Sequence, residues 1–182
     1  MTYVLIILGV VILWVIFIYN SLVSFVNRAA EAWADIEVQL KRRYDLIPNL
    51  MNTVKGYATH ESAAFENVTK ARAMALSASG IAGKGQAENM LTGALRSVFA
   101  IAEAYPELKA DQNFLALQNE LSDTENKIQA ARRFYNANVR DLNTKIQSFP
   151  SNIMAALFHF SPKELFDLAG NDAAQNPVEI KF

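Results

Sequence analysis

The first charged residue of this chain is Arg28; everything before it is uncharged. Within that stretch lies YVLIILGVVILWVIFIY, Tyr3 to Tyr19. At about 1.5 Å per residue a helix of this run reaches roughly 26 Å, near the lower limit for crossing a bilayer. Leu22, Val23, Phe25 and Val26 extend its apolar surface. Tyr3 and Tyr19 stand at the two ends, where amphipathic rings favour the membrane–water interface, and Trp14 lies between them. A cleaved signal peptide is the rival reading. It requires a basic start, a shorter apolar core and a small-x-small cleavage site. No Lys or Arg precedes this run and NSLVSF comes directly after it, so a retained span fits better. The cations behind it, Arg28, Lys41, Arg42 and Arg43, place the C-terminal domain in the cytoplasm by the positive-inside rule. The bias is narrow, because only Arg28 lies close to the run and Glu31 and Asp35 come next.

Behind the apolar run the sequence is helical in character. From Val26 a 3–4 spacing persists through Ala29, Trp33, Ile36, Leu40, Arg43, Ile47, Leu50, Val54, Tyr57, Glu61, Ala64, Val68, Ala71 and Ala75. That is about seven heptads on one stripe, with a period near 3.5 that calls for a packed partner. Arg43 and Glu61 are the polar positions of the stripe, and polar seam residues fix register at some cost in stability. The three glycines of SASGIAGKGQ, Ser77 to Gln86, predict a turn. A second amphipathic run comes next and stops at YPELKAD, where Pro106 denies the helix a donor. Asp111 is the expected N-cap of a third run, which Pro150 closes. Ser151 is placed to cap one short helix, and Ser161, Pro162 and Glu164 form a capping box for another. Between these, IMAALFHF has no clean polar face and reads as core, membrane surface or partner contact. The closing NPVEIKF suits a short strand or an extended segment.

The expected architecture is all-α: one N-terminal transmembrane helix continuing into an elongated antiparallel helical bundle, coiled-coil-like in character. Residues 1–21 form the anchor, 22–170 the helical domain and 171–182 an extended tail. Long helices are expected over about 22–78, 86–104 and 111–149, and short ones over about 151–159 and 162–168. A two-helix hairpin and an up-down-up bundle both satisfy these lengths. In the up-down-up case the membrane-proximal stripe of Trp33, Ile36 and Leu40 lacks an intrachain partner, which makes these residues the expected seam of a homo-oligomer.

Two polar clusters interrupt the apolar pattern. In KRRYDLIPNL, Pro48 sits inside a helix and frees the carbonyl four residues back, that of Tyr44. The stripe keeps its phase across Pro48, so the expectation is a kink within one helix. Water or a side chain then meets the freed carbonyl, with Arg42, Arg43 and Asp45 nearest in sequence. The second cluster, in ARRFYNANVRDLNTK, comprises Arg132, Arg133, Asn136, Asn138, Arg140, Asp141 and Asn143. It reads either as interhelical bonds that select register or as a patch for a ligand or partner.

Chemistry is sparse. The absence of cysteine excludes disulfides, thiolate metal sites and a cysteine nucleophile. Lys and Arg number 17 against 18 Asp and Glu, so no basic excess points to nucleic acid. The two histidines, His60 and His159, have no metal-ligand spacing, and GIAGKGQ lacks the phosphate-loop pattern. No catalytic, metal or cofactor set is expected.

The chain resembles the LemA family of bacterial membrane-anchored helical proteins. The resemblance covers nearly the whole sequence. Its motifs are the apolar run leading into YNSLVSFVNRAAEAWADIEVQLKRRYDLIPNLMNTVKGYATHE, the block YPELKADQNFLALQNELSDTENKIQAARRFYNANVRDLNTKIQSFP, and the final VEIKF. It implies a single-pass protein of the inner membrane with a mostly helical domain, no catalytic activity to carry over, and a role beside other membrane proteins such as membrane proteases. From sequence, then, the chain reads as a non-enzymatic membrane scaffold that self-associates and recruits envelope proteins, or as a monomeric adaptor for one membrane-protein partner, with an enzyme the third and least favoured reading.

Overall fold

A computed structural model describes residues 1–58 and 60–167. It is all-α, and no strand occurs among the described residues. The helices are α1 (Thr2–Lys55), α2 (Ser62–Ser77), α3 (Ile81–Glu103), α4 (Pro106–Ala110), α5 (Gln112–Gln147) and α6 (Ser151–Leu157). The expected tail, 171–182, lies outside the described residues.

Helix α1 runs through Pro48 and ends at Lys55, so the expected long helix over 22–78 is two helices. The break falls at Gly56, whose backbone freedom disfavours a helix interior. Gly56 N–H bonds Thr53 O and Tyr57 N–H bonds Val54 O, tightening the last turn before the chain leaves it. Tyr57 and Glu61 keep the heptad phase by sequence yet lie in this connection, and Glu61 becomes the residue preceding α2.

The glycine-rich stretch resolves differently from the expected turn over Ser77–Gln86. Only Ala78 to Gly80 connect α2 to α3, with Gly80 at φ 73°, a value that favours glycine. The short connection makes the pair a helical hairpin. Helix α3 then starts at Ile81, five residues before the expected 86, and Gly83 and Gly85 are helical. Gly85 serves close approach: a Cβ there would lie 2.6 Å from Asp167 O. Its bare backbone lets the segment around the fully buried Phe166 lie on α3.

Pro106 opens the single-turn α4. Asp111 caps α5 as expected, its Oδ1 accepting the Phe114 N–H at 2.9 Å while its Oδ2 accepts the Tyr57 hydroxyl at 3.1 Å. The Phe114 bond leads in holding the Asp111 carboxyl below its usual range. Ser151 does not cap α6. Its hydroxyl lies 2.6 Å from Lys145 O and 2.9 Å from Ser148 O, so it serves the orphan carbonyls at the end of α5. Helix α6 is shorter than the expected 151–159, because His159 adopts φ 57°. With Phe160 N–H on Ala155 O and His159 N–H on Ala156 O, this is a Schellman stop with histidine in the usual glycine place.

The expected helix over 162–168 is absent: residues 161–167 are non-helical. Side chains of α5 take the backbone groups that a helix would pair. The Asn143 amide accepts from Lys163 N–H and donates to Lys163 O, both at 2.9 Å, and the Tyr135 hydroxyl donates to Glu164 O at 2.9 Å.

The chain divides into two compact units. The first comprises Met1–Val38 and Ile128–Leu165. Its buried residues include Leu22, Ala29, Ala32 and Ile36 of α1, Ile128, Tyr135, Val139 and Leu142 of α5, and Met154 and Ala155 of α6. Trp33 packs edge-on against Tyr135 with ring centroids 5.3 Å apart and donates to Glu37 at 2.9 Å. The second comprises Gln39–Lys127 and the segment that begins at Phe166. Its core takes Leu40, Ile47, Leu50 and Val54 from α1, Val68 and Ala75 from α2, Leu91 and Val98 from α3, Leu108 from α4, and Phe114 from α5.

Candidate functional site

The most concentrated polar chemistry lies inside the second unit and starts from Arg43. This side chain is 5% exposed, on the buried stripe of α1. A guanidinium withdrawn from water needs charged partners and filled donors. Nη1 lies 3.3 Å from Glu88 Oε2 and 3.1 Å from Glu125 Oε2, while Nη2 donates to Thr92 Oγ1 at 2.8 Å. Glu88, on α3, has no exposed surface. Its other carboxylate oxygen accepts a short hydrogen bond from the Tyr44 hydroxyl. Burial raises the Glu88 carboxyl above its ordinary range, against the opposing pull of the Tyr44 bond and of the Arg43 and Lys84 charges. Burial, aided by the bond to Glu88, likewise drives the Tyr44 phenol far up, so it stays a proton donor. Lys84 sits 5.8 Å above the Tyr44 ring and donates to Ala75 O at 3.0 Å, one of the last carbonyls of α2.

The carbonyl that Pro48 frees is met within the same cluster. Arg72 Nε, on α2, donates to Tyr44 O at 2.8 Å. The expectation of a side-chain partner was right in kind, but the partner comes from another helix. Arg42, Arg43 and Asp45 do not supply it. Arg42 is exposed and lies 4.0 Å from Asp123, an arrangement worth little in water. Asp45 and Pro48 themselves are exposed. Sequence alone missed Tyr44, Arg72, Lys84, Glu88 and Thr92. The usable signal was the freed carbonyl, which demanded a donor, and Glu88 interrupting the apolar run of α3.

Ile36 and Leu40 have no exposed surface in the single chain, and Trp33 is partly covered. Within the first unit Trp33 meets Tyr135 of α5, so this part of the stripe has an intrachain neighbour. In the second polar cluster Arg133, Arg140 and Asp141 are exposed, and Arg132, Asn136 and Asn138 are half-buried. Asn138 donates back to Phe134 O within α5. The member with the clearest task is Asn143, which clamps Lys163.

Chemically, the Arg43 cluster is saturated with its own partners. It opens on a cleft of about 330 Å³, lined by Thr92, Arg96, Phe99, Leu121 and Glu125 beside Arg43 itself. Among the described residues no group of three His, Cys, Asp or Glu could hold a metal ion. The arrangement ties α1 to α2, α3 and α5 through charge and hydrogen bonds.

In the first unit, α1 begins with a segment long and apolar enough to cross a membrane, almost none of it buried. This makes it a candidate membrane span.

Known proteins are similar in sequence to this chain. The Protein LemA of Metamycoplasma hominis is 30% identical over 141 residues, covering 75% of this chain and 63% of its own length. The Magnetosome protein MamQ of Magnetospirillum gryphiswaldense is 25% identical over 174 residues, 81% of this chain and 64% of that protein. Magnetosome protein MamQ 2 of Paramagnetospirillum magneticum is 24% identical over the same span. The chain thus covers less than two thirds of the length of these relatives, and none of the three carries an enzyme's name. The model of the LemA family matches residues 32–182, taking in the Arg43 cluster, the Asn143 clamp and the whole of α2 to α6. The chain belongs to the LemA family.

Proposed function

We propose that this protein is a single-pass, non-enzymatic scaffold of a bacterial inner membrane, whose helical domain self-associates and recruits other envelope proteins. The observation that carries the reading is α1 itself. Its apolar start has almost no protein cover, yet it runs without a break into residues that are core. Ile18 and Leu22, at the end of the apolar run, are already buried. Cleavage behind the run would cut a helix inside its packed region, which favours a retained anchor over a signal peptide. Arg28, Lys41 and Arg42 behind the run favour a cytoplasmic domain.

Self-association is assigned to the exposed anchor rather than to Trp33, Ile36 and Leu40. Gly9 has nothing within 4 Å around its would-be Cβ, leaving room for close approach of another anchor helix. Confinement to the membrane plane raises effective concentration and favours such contacts.

The test uses the cysteine-free background. Cysteine at Gly9 should crosslink between subunits in native membranes, while cysteine at the buried Leu40 should not. A mass in several mild detergents equal to one chain, with no crosslink at Gly9, would leave the monomeric adaptor as the surviving reading. Labelling of an exposed Arg133→Cys by an impermeant maleimide in inverted vesicles, but not in intact cells, checks the side of the membrane.

A further inference from the structure

Two stretches of this sequence carry no Lys, Arg, Asp or Glu over an unusual length: Met1 to Asn27, and Ile146 to Pro162. In the first unit they meet. Tyr19 packs edge-on against Phe158 and Phe160, with ring centroids 4.9 and 5.8 Å away. The Schellman stop at His159 turns the chain so that both rings face Tyr19. A concavity of about 560 Å³ joins Trp14 and Phe17 of α1 to Phe149 and Pro150 at the end of α5.

Helix α6 is amphipathic in an inverted sense. Its inner face buries Ser151, Met154 and Ala155. Its outer face shows Ile153 and Leu157, four residues apart and so on one side. Leu157 is 62% exposed and Phe149, one turn before Ile153, is 80% exposed. A surface helix of a water-soluble domain puts charge on its outer face, and here there is none. The cations that flank the stretch, Lys145 and Lys163, have no acidic residue between them.

We infer that α6 and the Phe149 turn lie in the interfacial layer of the bilayer that α1 spans, with Phe149, Ile153 and Leu157 in contact with lipid. This rests on the reading of α1 as a span. Continuity identifies the occupant: rings packed on Tyr19, and a turn that shares a concavity with Trp14 and Phe17, are held at the membrane surface by the apolar run to which those residues belong. An uncharged apolar face with lysines at its margins suits a depth of roughly 5–10 Å into the headgroup and acyl boundary of an anionic membrane. The anchor would then be a span braced by a surface helix, which restricts its rotation about the membrane normal.

The experiment uses full-length protein in phosphatidylcholine vesicles containing a minority of phosphatidylglycerol, with one environment-sensitive fluorophore per variant. Labels go on Phe149→Cys, Leu157→Cys, Phe134→Cys and Ile12→Cys. Phe134 is also exposed, but it lies on α5 about 20 Å along the helix from the Phe149 turn. The expected result is blue-shifted emission at 149 and 157, quenched more by a nitroxide near the lipid carbonyls than by one near the acyl terminus. The deep nitroxide should be the stronger quencher at 12, and 134 should report water. Water-like emission at 149 and 157, with 12 still quenched, would overturn the inference while sparing the span. So would a blue shift at 149 and 157 that no nitroxide quenches, which would mean that protein, such as a second copy, covers the face. If 12 is also unquenched, the span itself fails and the inference with it.

Discussion

Near the start of α1, Leu5 and Phe17 are 67% and 73% exposed; toward its end, Leu40 and Leu50 have no exposed surface. The residue types are alike and the helix is the same. The start is apolar on every side and carries no charge. The end is apolar on one stripe and carries charge on the others, with Arg43 admitted to the stripe itself. The first pattern calls for a uniformly apolar solvent, the second for a protein partner on one side and water on the other. Arg43 sharpens the point. A cation is tolerated deep in the second region because Glu88, Glu125 and Thr92 meet it, and the first region offers a cation no such partner.

Two substitutions, each expected to cost about 3 kcal/mol, test this contrast from either side. Ile12→Arg places a cation in the unpartnered region and should drive the protein from the membrane fraction into the soluble or aggregated fraction. Arg43→Leu removes the cation where it is paired. From sequence, a leucine on this seam would be expected to stabilise; the structure reverses that, because Glu88 would stay buried without its main counter-charge. Urea denaturation should show the loss, and adding Glu88→Leu should recover much of it. If Arg43→Leu alone raises stability, the cluster does not hold the second unit together.

Gly85→Ala is expected to cost about 2 kcal/mol by thermal unfolding, because its Cβ would press on the backbone at Asp167 and displace Phe166. Arg72→Ala should cost about 1.5 kcal/mol by leaving Tyr44 O unmet. In a Pro48→Ala background the same change should cost less, since an alanine at that position restores the missing backbone donor. Equal costs in the two backgrounds would mean that Arg72 acts elsewhere.

The smallest effect is a pH slope. The folded state holds Glu88 above its ordinary value of 4.5, so between that value and its folded pKa the native chain binds more protons than the unfolded one. Its contribution to stability is complete below 4.5 and declines as pH rises through the folded pKa. The depressed carboxyl of Asp111 works in the opposite direction, its contribution declining as pH falls. Urea titrations of wild type and Glu88→Gln, compared pH by pH, should isolate the Glu88 component as a difference that vanishes in the variant.

Much of the fold was legible because periodicity is a local signal. The apolar start, the stripe from Ala29 to Val54 and the Asp111 cap were all readable from neighbours in sequence. The failures share one cause: distant residues decided them. Heptad phase survives Gly56 although the helix does not. The capping box at Ser161 is sound locally, yet Asn143 and Tyr135 claim the backbone it would have organised. Gly85 reads as a turn residue until Asp167 arrives against it. The Arg43 cluster was half legible: Pro48 announced a free carbonyl, but nothing in KRRYDLIPNL names Arg72 or Glu88 as the groups that complete it. The burial of Ile36 and Leu40 within the single chain was not legible either, because residues distant in sequence decide it.

Depth along α1 tests the central claim most directly. Nitroxides placed one at a time from Tyr3 to Arg28, in full-length protein reconstituted into vesicles, report collision with oxygen, which concentrates in the bilayer, and with a polar nickel chelate, which does not. The account requires the oxygen preference to peak near Val11 and to fall to the aqueous value by Arg28. A flat, water-like profile across these positions would show that the exposed apolar start of α1 does not lie in lipid, and would contradict the account.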